Sequence, residues 1–429
     1  MTFLSIQEAI TRGSGKVAVR GWVYRERGSN QLKFIVLRDS TNIIQCVLER
    51  GRFEKEWSEI DKIQVEASME MEGVIKEDKR APSGYEISVE SFKVVGGSDT
   101  FPITKDQSPE FLLDVRHLAI RSRRYSAIFK VKNTILQAFR NYYLNDGYFE
   151  WTPPIFQPNQ CEGGSTLFEV KYYKEKLFMT QSWQLYGESG IFGLEKLFTI
   201  SPCFRAEKSK TSRHLSEFWM AEMEAAWMQL PQLIESVEGC LAFIVKEVVE
   251  KNEEELKLLG QDVDKLRKIT VPFPRITYKD ALKLLKEKEN VEVPFGKDLR
   301  TVEEDLIVKH FDKPVIVTNY PKAIMAFYKP ADPKDPETAL CLDVLAPEGY
   351  GEIVGGSQRD IDIESLKKAL IDMGEKPEHY EWYFDSRRYG SVPHSGYGMG
   401  VERVVAWLCK LDNIKDAIPF PRTMLRWKP

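Results

Sequence analysis

The sequence predicts an α+β protein, with a small N-terminal β-domain ahead of a larger domain of mixed strands and helices. Three observations carry this. The first hundred residues alternate apolar and polar side chains in short runs broken by turn signals. From about residue 126, apolar residues recur at helical spacing. From residue 314, strand-like runs return ahead of a glycine-rich turn and a final helix.

In chain order, residues 16–28 alternate around Val17, Val19, Gly21 and Val23, and runs 32–39 and 42–49 follow across the turn signals "SN" and "DST". Runs 62–78 and 85–97 complete about five strands, a pattern that suits a small barrel of the OB type and a small β-sandwich equally. Residues 98–125 form a linker with Pro102 and Pro109. Its Arg116, Arg121, Arg123 and Arg124 read first as a solvated face and second as a contact to a phosphate backbone. Ile128, Val131, Ile135, Phe139 and Tyr142 then mark a helix that "NDG" ends. The chain continues extended through Phe149 and Trp151 into Pro153 and Pro154, where no helix can persist. Residues 232–310 are helical, charged and lysine-rich, and read as an insertion covering the catalytic core. In "HSGYGMGVERVVAWLCKL", Val401, Val404, Val405 and Leu408 share one helix face behind a glycine turn. The expected division is a domain over 1–100, a hinge over 101–125 and a second domain over 126–429.

The 429 residues suffice for two or three domains with ample core. A composition of 42% hydrophobic and 29% charged residues is that of a soluble globular chain. The net charge of −4 gives no global basic field, so RNA binding would need a local basic face. The six cysteines, Cys46, Cys161, Cys203, Cys240, Cys341 and Cys409, form no C-x-x-C pair and read as reduced thiols of a cytoplasmic protein without a zinc site. No apolar run reaches membrane-spanning length, and no membrane partner is expected.

Three segments concentrate chemistry. In 204–224, two strand-like pieces flank a polar loop with Lys208, Lys210, Arg213 and His214. Arg205 and Glu207 share a face, an arginine fork suits phosphate or carboxylate, and Phe218 offers a face to a base. In 396–403, "GYGMGVER" is no dinucleotide fingerprint, because Arg403 stands where a third glycine is needed; its glycines let a flat group approach the backbone. In 342–360, Asp343 and Glu352 offer the hard oxygens that magnesium accepts beside phosphates. Taken singly, each also reads as surface charge or a plain turn.

Together, "YFEWTPPIF", "FRAE…RHLSEF" and "GYGMGVER" resemble the three ordered motifs of the class II aminoacyl-tRNA synthetases. The resemblance covers essentially the whole chain. "VRGWVYRERGSNQLKFIVLRD" resembles the OB-type anticodon domain of the aspartyl, asparaginyl and lysyl subgroup. "QCEGGSTLFEV", "QSWQLY", "DVLAP…GEIVGGSQR" and "IPFPRTMLR" resemble the asparaginyl branch most closely. The resemblance implies a five-stranded OB barrel, a catalytic antiparallel sheet flanked by helices, and a homodimer. It implies ATP and Mg2+, with asparagine and tRNA(Asn) as partners. Arg205 would bridge the α-phosphate and the amino-acid carboxylate, and Phe218 and Arg403 would enclose the adenine. Glu207, Arg213, His214, Gly398 and Gly400 would complete the ATP site, with Asp343 and Glu352 holding the metal. Aspartyl relatives carry a serine where this chain has Gly355, one metal contact fewer. Glu162, Gln181, Gln184, Glu188, Arg359 and His394 would bind the amino acid, and Phe34 and Gln45 the anticodon. The family often has a lysine just before its "FY"; Met325 and Ala326 stand there, and no lysine of that stretch is given a role.

The pocket chemistry turns on "MTQSWQLYGES". Aspartyl enzymes typically read "QSPQLYKQ", whose lysine pairs with the substrate carboxylate; here Gly187 replaces that lysine and Glu188 follows. Glu188 accepts and Arg359 donates, which together match a carboxamide. Rival readings are an aspartyl enzyme that charges both tRNAs, a tRNA-independent asparagine synthetase, and a catalytically silent RNA-binding protein. The missing lysine, the apparent anticodon domain and the intact Arg205, Glu352 and Arg403 speak against them in turn.

Overall fold

The structure, a computed structural model, describes residues 2–162, 167–208 and 213–428. It divides into two compact units, Met1–Leu113 and Asp114–Pro429.

In the first unit, strands β1 (Gly15–Gly28), β2 (Leu32–Arg38), β3 (Ile43–Glu49), β4 (Ser68–Glu77) and β5 (Tyr85–Gly96) close into a barrel in the order β1-β2-β3-β5-β4. Closure decides between the two β architectures, because a barrel leaves no open sheet edge. Val17, Val19, Ile35, Leu37, Ile44 and Cys46 point inward and form its core. Strand crossings are too close for a side chain at Gly21, where a Cβ would lie 2.2 Å from the Arg38 carbonyl oxygen. Helix α1 (Ile6–Arg12), held by a capping box between Ser5 and Glu8, adds Ile6 and Ala9 to the core.

The second unit is built on an eight-stranded sheet. Its strands are β6 (Phe149–Glu150), β7 (Lys196–Phe204), β8 (Glu217–Ala226), β9 (Arg275–Thr277), β10 (Val315–Thr318), β11 (Cys341–Ala346), β12 (Gly351–Gln358) and β13 (His394–Gly400). They run in the order β9-β10-β11-β12-β13-β8-β7-β6. The pairs are antiparallel except at the two edges, where β6 joins β7 and β9 joins β10 in parallel. Five helices matter for the site and its support: α2 (Arg123–Asn145), α3 (Gln184–Leu194), α4 (Leu230–Lys251), α5 (Glu381–Arg388) and α6 (Val401–Leu408). Helix α2 starts at a Ser122 cap and buries Ile128, Val131, Ile135 and Phe139. Tyr143, rather than Tyr142, continues that buried stripe. All four apolar residues of α6 singled out above are fully buried.

Two readings change. Arg116 is no solvated cation: it is fully buried and donates to the carbonyl oxygens of Pro419 and Ile418, each at 2.8 Å, clamping the C-terminal segment. Residues 232–310 are mostly helical, yet they also supply β9, whose three residues are too few to show a strand period. The long α4 packs against α2, β12 and β13. Among the described residues, no helix is long and apolar enough to cross a membrane.

Candidate active site

The three motif segments meet on the middle strands. Arg205, Glu207, Arg213, His214, Phe218, Glu352, Gly398, Gly400 and Arg403 all line one open cavity of about 600 Å³. Arg205 follows β7, Phe218 lies on β8, Glu352 on β12, and Arg403 in the first turn of α6. The Arg205 guanidinium sits 5.4 Å from the centroid of the Phe218 ring, and its buried Nε has no hydrogen-bond partner among the described residues. Burial opposes its charge, but Glu162, Glu352 and Glu207 outweigh that and keep it protonated. A buried donor left unpaired is costly, and this one is available to a ligand oxygen. Arg403 donates from Nη1 to the Glu352 backbone oxygen at 2.7 Å and to its carboxylate at 3.1 Å. Arg213 pairs with Asp305 at 3.1 Å, and His214 lies 3.8 Å from Glu207. Lys210 lies outside the described residues.

Asp343 and Glu352 converge on Gly355. A Cβ there would lie 2.9 Å from Glu352 Oε1 and 3.4 Å from Asp343 Oδ1. Burial and the charge of Glu352 push the Asp343 carboxyl well up. Burial also acts on Glu352, but Arg403 and Arg205 hold its carboxyl down. No group of three metal-ligating His, Cys, Asp or Glu side chains occurs among the described residues. Two facing hard-oxygen donors with an open glycine beside them nevertheless fit a magnesium ion that takes its other ligands from phosphate and water.

The six residues expected at the amino acid form a second, buried network. Glu162 accepts from Tyr328 Oη at 2.9 Å, and its backbone N–H donates to Gln181 at 3.2 Å. Tyr328 underlies the Arg359 guanidinium, 5.1 Å away. Arg359 forks onto Glu224 and donates to Ser357 Oγ at 2.8 Å, with its Nε 3.9 Å from Glu188. Glu188 itself is fully buried on α3. It accepts from Gln184 at 2.9 Å, Tyr383 at 2.7 Å, His394 at 3.0 Å and Arg387. Burial opposes its charge; Arg387 and His394 prevail and hold the carboxyl well below the ordinary range. Burial pushes Glu224 up to about 8 against the pull of Arg359. Glu224 fits because Gly396 lies across from it on β13: a Cβ there would fall 2.2 Å from its carboxyl carbon. Gly187 makes room in the same way for the Trp183 indole, whose ring atoms would lie 2.8 Å from a Cβ.

Glu224, Arg387, Tyr383 and Tyr328 escaped sequence reading. Glu224 sits two residues from Glu222 on β8, a spacing that places both on one face and was the one available signal. In the barrel, Phe34 and Gln45 lie on the same outer face of β2 and β3. Arg27, also missed, stacks 5.0 Å from the Phe34 centroid and reaches Gln45 at 3.5 Å; Gln45 donates to Glu86 at 3.0 Å.

Residues 108–424 match the family model described as tRNA synthetases class II (D, K and N), and residues 17–95 match the OB-fold nucleic acid binding domain. The chain is 48% identical to an asparagine–tRNA ligase of Thermococcus kodakarensis over 96% of both chains. It is 46% identical to that of Thermoplasma acidophilum over 99% of this chain and all of that one. The structure superposes on asparaginyl-tRNA synthetase of Pyrococcus horikoshii complexed with asparaginyl-adenylate with a TM-score of 0.96, 44% identity and full coverage of both chains.

Proposed function

From the premise that the chain belongs to the class II tRNA synthetases of the D, K and N group, we propose that it activates asparagine with ATP and transfers it to the 3′ end of tRNA(Asn). One observation carries the choice of asparagine: each arginine of the buried pocket already faces a carboxyl group. Glu188 pairs with Arg387, and Glu224 pairs with Arg359. Asparagine brings no side-chain charge. Aspartate would bring a third carboxylate to the side-chain end of the pocket, where both arginines are already engaged. Burying that charge uncompensated costs on the order of 4 kcal/mol, roughly a thousandfold in discrimination. Arg359 donates to the amide oxygen. Among the described residues, Glu188 already accepts from four side chains, whereas Glu224 accepts from Arg359 alone. Glu224 therefore takes the amide N–H, and Glu188 acts through Arg359 and His394.

In the first step the amino-acid carboxylate attacks the α-phosphorus and pyrophosphate leaves. In the second, the terminal 3′-hydroxyl of the tRNA attacks the anhydride carbonyl and AMP leaves. Both steps depend on alignment and on stabilising developing charge. Arg205, with its unpaired Nε, faces the α-phosphate and the carboxylate. Phe218 and Arg403 hold the adenine, Glu207 the adenosine, and Arg213 and His214 the outer phosphates. Asp343 and Glu352 would hold magnesium, which neutralises phosphate charge. Glu162 and Gln181 take the α-ammonium group.

The protein works as a homodimer in this reading. Leu144, Phe149, Ile155 and Phe156 are exposed around the edge strand β6, an apolar margin that a second copy would cover. A cytoplasmic location suits six buried free thiols. Charging of tRNA(Asn) and tRNA(Asp) transcripts with labelled asparagine and aspartate tests the proposal. Asparagine on tRNA(Asn) alone is expected; aspartate on either tRNA contradicts it.

A further inference from the structure

Lys329 is a charged side chain in the catalytic unit that the reaction above leaves unused. It follows Phe327 and Tyr328, both buried, and Tyr328 is the residue that holds Glu162. Its backbone is pinned: its N–H donates to the Ala326 oxygen at 3.1 Å, and its carbonyl accepts from Lys322 Nζ. The ammonium rests 3.5 Å from Met325 Sδ. None of the described carboxylates comes within the 4.0 Å of an ion pair. Met325 Sδ also meets Cys341 Sγ at 3.8 Å. Cys341 and Asp343 are two apart on β11 and share a face, so the ammonium lies along the strand face that carries Asp343. Its charged neighbours are Asp343, Glu162 and Arg359.

An ammonium offers three donors, and a thioether is a poor acceptor for any of them. A charge held between the α-ammonium subsite and the carboxylates of the phosphate site, with no oxygen of its own, is completed by an anion of the substrate. On the reading given above, we propose that Lys329 contacts substrate, its ammonium binding the α-carboxylate of the amino acid opposite Arg205 during attack on the α-phosphorus. That carboxylate is one carbon from the α-ammonium that Glu162 receives, which is why a cation beside Tyr328 meets it. One carboxylate oxygen forms the bond to phosphorus as the bond to pyrophosphate breaks. Lys329 keeps its proton throughout and lowers the repulsion between two approaching anions.

The test is Lys329→Met in the full chain, read by amino-acid-dependent ATP–pyrophosphate exchange and by inhibition with asparaginol. Asparaginol keeps the ammonium and carboxamide of asparagine and lacks the carboxylate. KM for asparagine should rise roughly 10- to 100-fold, the range of one charge-assisted hydrogen bond, while the asparaginol Ki and the ATP KM stay within about twofold. The exchanged pair Met325→Lys/Lys329→Met returns an ammonium to the same spot and should recover most of the loss. An asparaginol Ki that weakens as much as the asparagine KM would overturn the proposal, as would a shift confined to ATP or magnesium, or an exchanged pair no better than K329M. Should K329M not fold, Lys329→Arg is read the same way, with the carboxylate-dependent shift again decisive. If the wild type activates aspartate instead, the asparagine reading fails separately, and Lys329 is tested with aspartate and its amino alcohol.

Discussion

At the scale of single residues, Glu188 is the buried anion at the centre of the pocket proposed for the amino acid. Removing its charge leaves Arg387, whose side chain is fully buried, without a counter-ion. Glu188→Gln is expected to cost about 3–5 kcal/mol in a chemical denaturation series. The sign with pH follows from its depressed folded-state pKa. The stabilisation is complete above the ordinary carboxylate value of 4.5 and is lost as pH falls through the lower folded value. The wild type should therefore lose stability faster than E188Q as pH drops below about 4.5; parallel acid limbs would show that Glu188 is not held ionised. Glu188 was legible because it departs from the aspartyl pattern with an acidic side chain, and Arg359 because it ends a segment that resembles the asparaginyl branch. Glu224 and Arg387 were not. An acid on a strand and a basic residue near a helix end ordinarily face water, and nothing local announces a partner 135 residues away.

At the scale of elements, β6 and α2 explain a surface as well as a scaffold. The two-residue strand β6 pairs only with β7, and Phe149 on it is 52% exposed. On the proposed homodimer, Phe149→Glu should leave a monomer in light scattering without lowering the melting temperature of the monomer; a dimer that survives it places the interface elsewhere. The helix and proline boundaries of this region could be read because their periods and breakers are local. Strand β9 could not, since three residues inside a lysine-rich stretch carry no countable period. Arg116 misled for a related reason. Its partners are backbone carbonyls some 300 positions away, and only the folded chain brings them to it.

At the scale of the whole molecule, one unit carries the OB barrel and the other the activation chemistry. The two duties should separate genetically. Phe34→Ala removes the ring that Arg27 stacks on, the ring proposed to stack on an unpaired anticodon base. It should raise the tRNA KM for charging roughly tenfold while leaving tRNA-independent exchange unchanged. Loss of exchange would mean that the substitution acts on stability instead. The motif order made the synthetase architecture readable across nearly the full length. The network that sets amino-acid choice was readable only in part, because it is assembled from α3, β8, β12, α5 and β13.

The central claim is that a buried pocket whose two arginines are already paired selects a neutral carboxamide. ATP–pyrophosphate exchange without tRNA, with asparagine and aspartate compared side by side at neutral pH, tests it most directly. Exchange with asparagine at least about a thousandfold more efficient than with aspartate is the expected result. Comparable exchange with aspartate would contradict the claim, because it would require an unengaged cation at the side-chain end of the pocket, where Arg359 and Arg387 are both already paired.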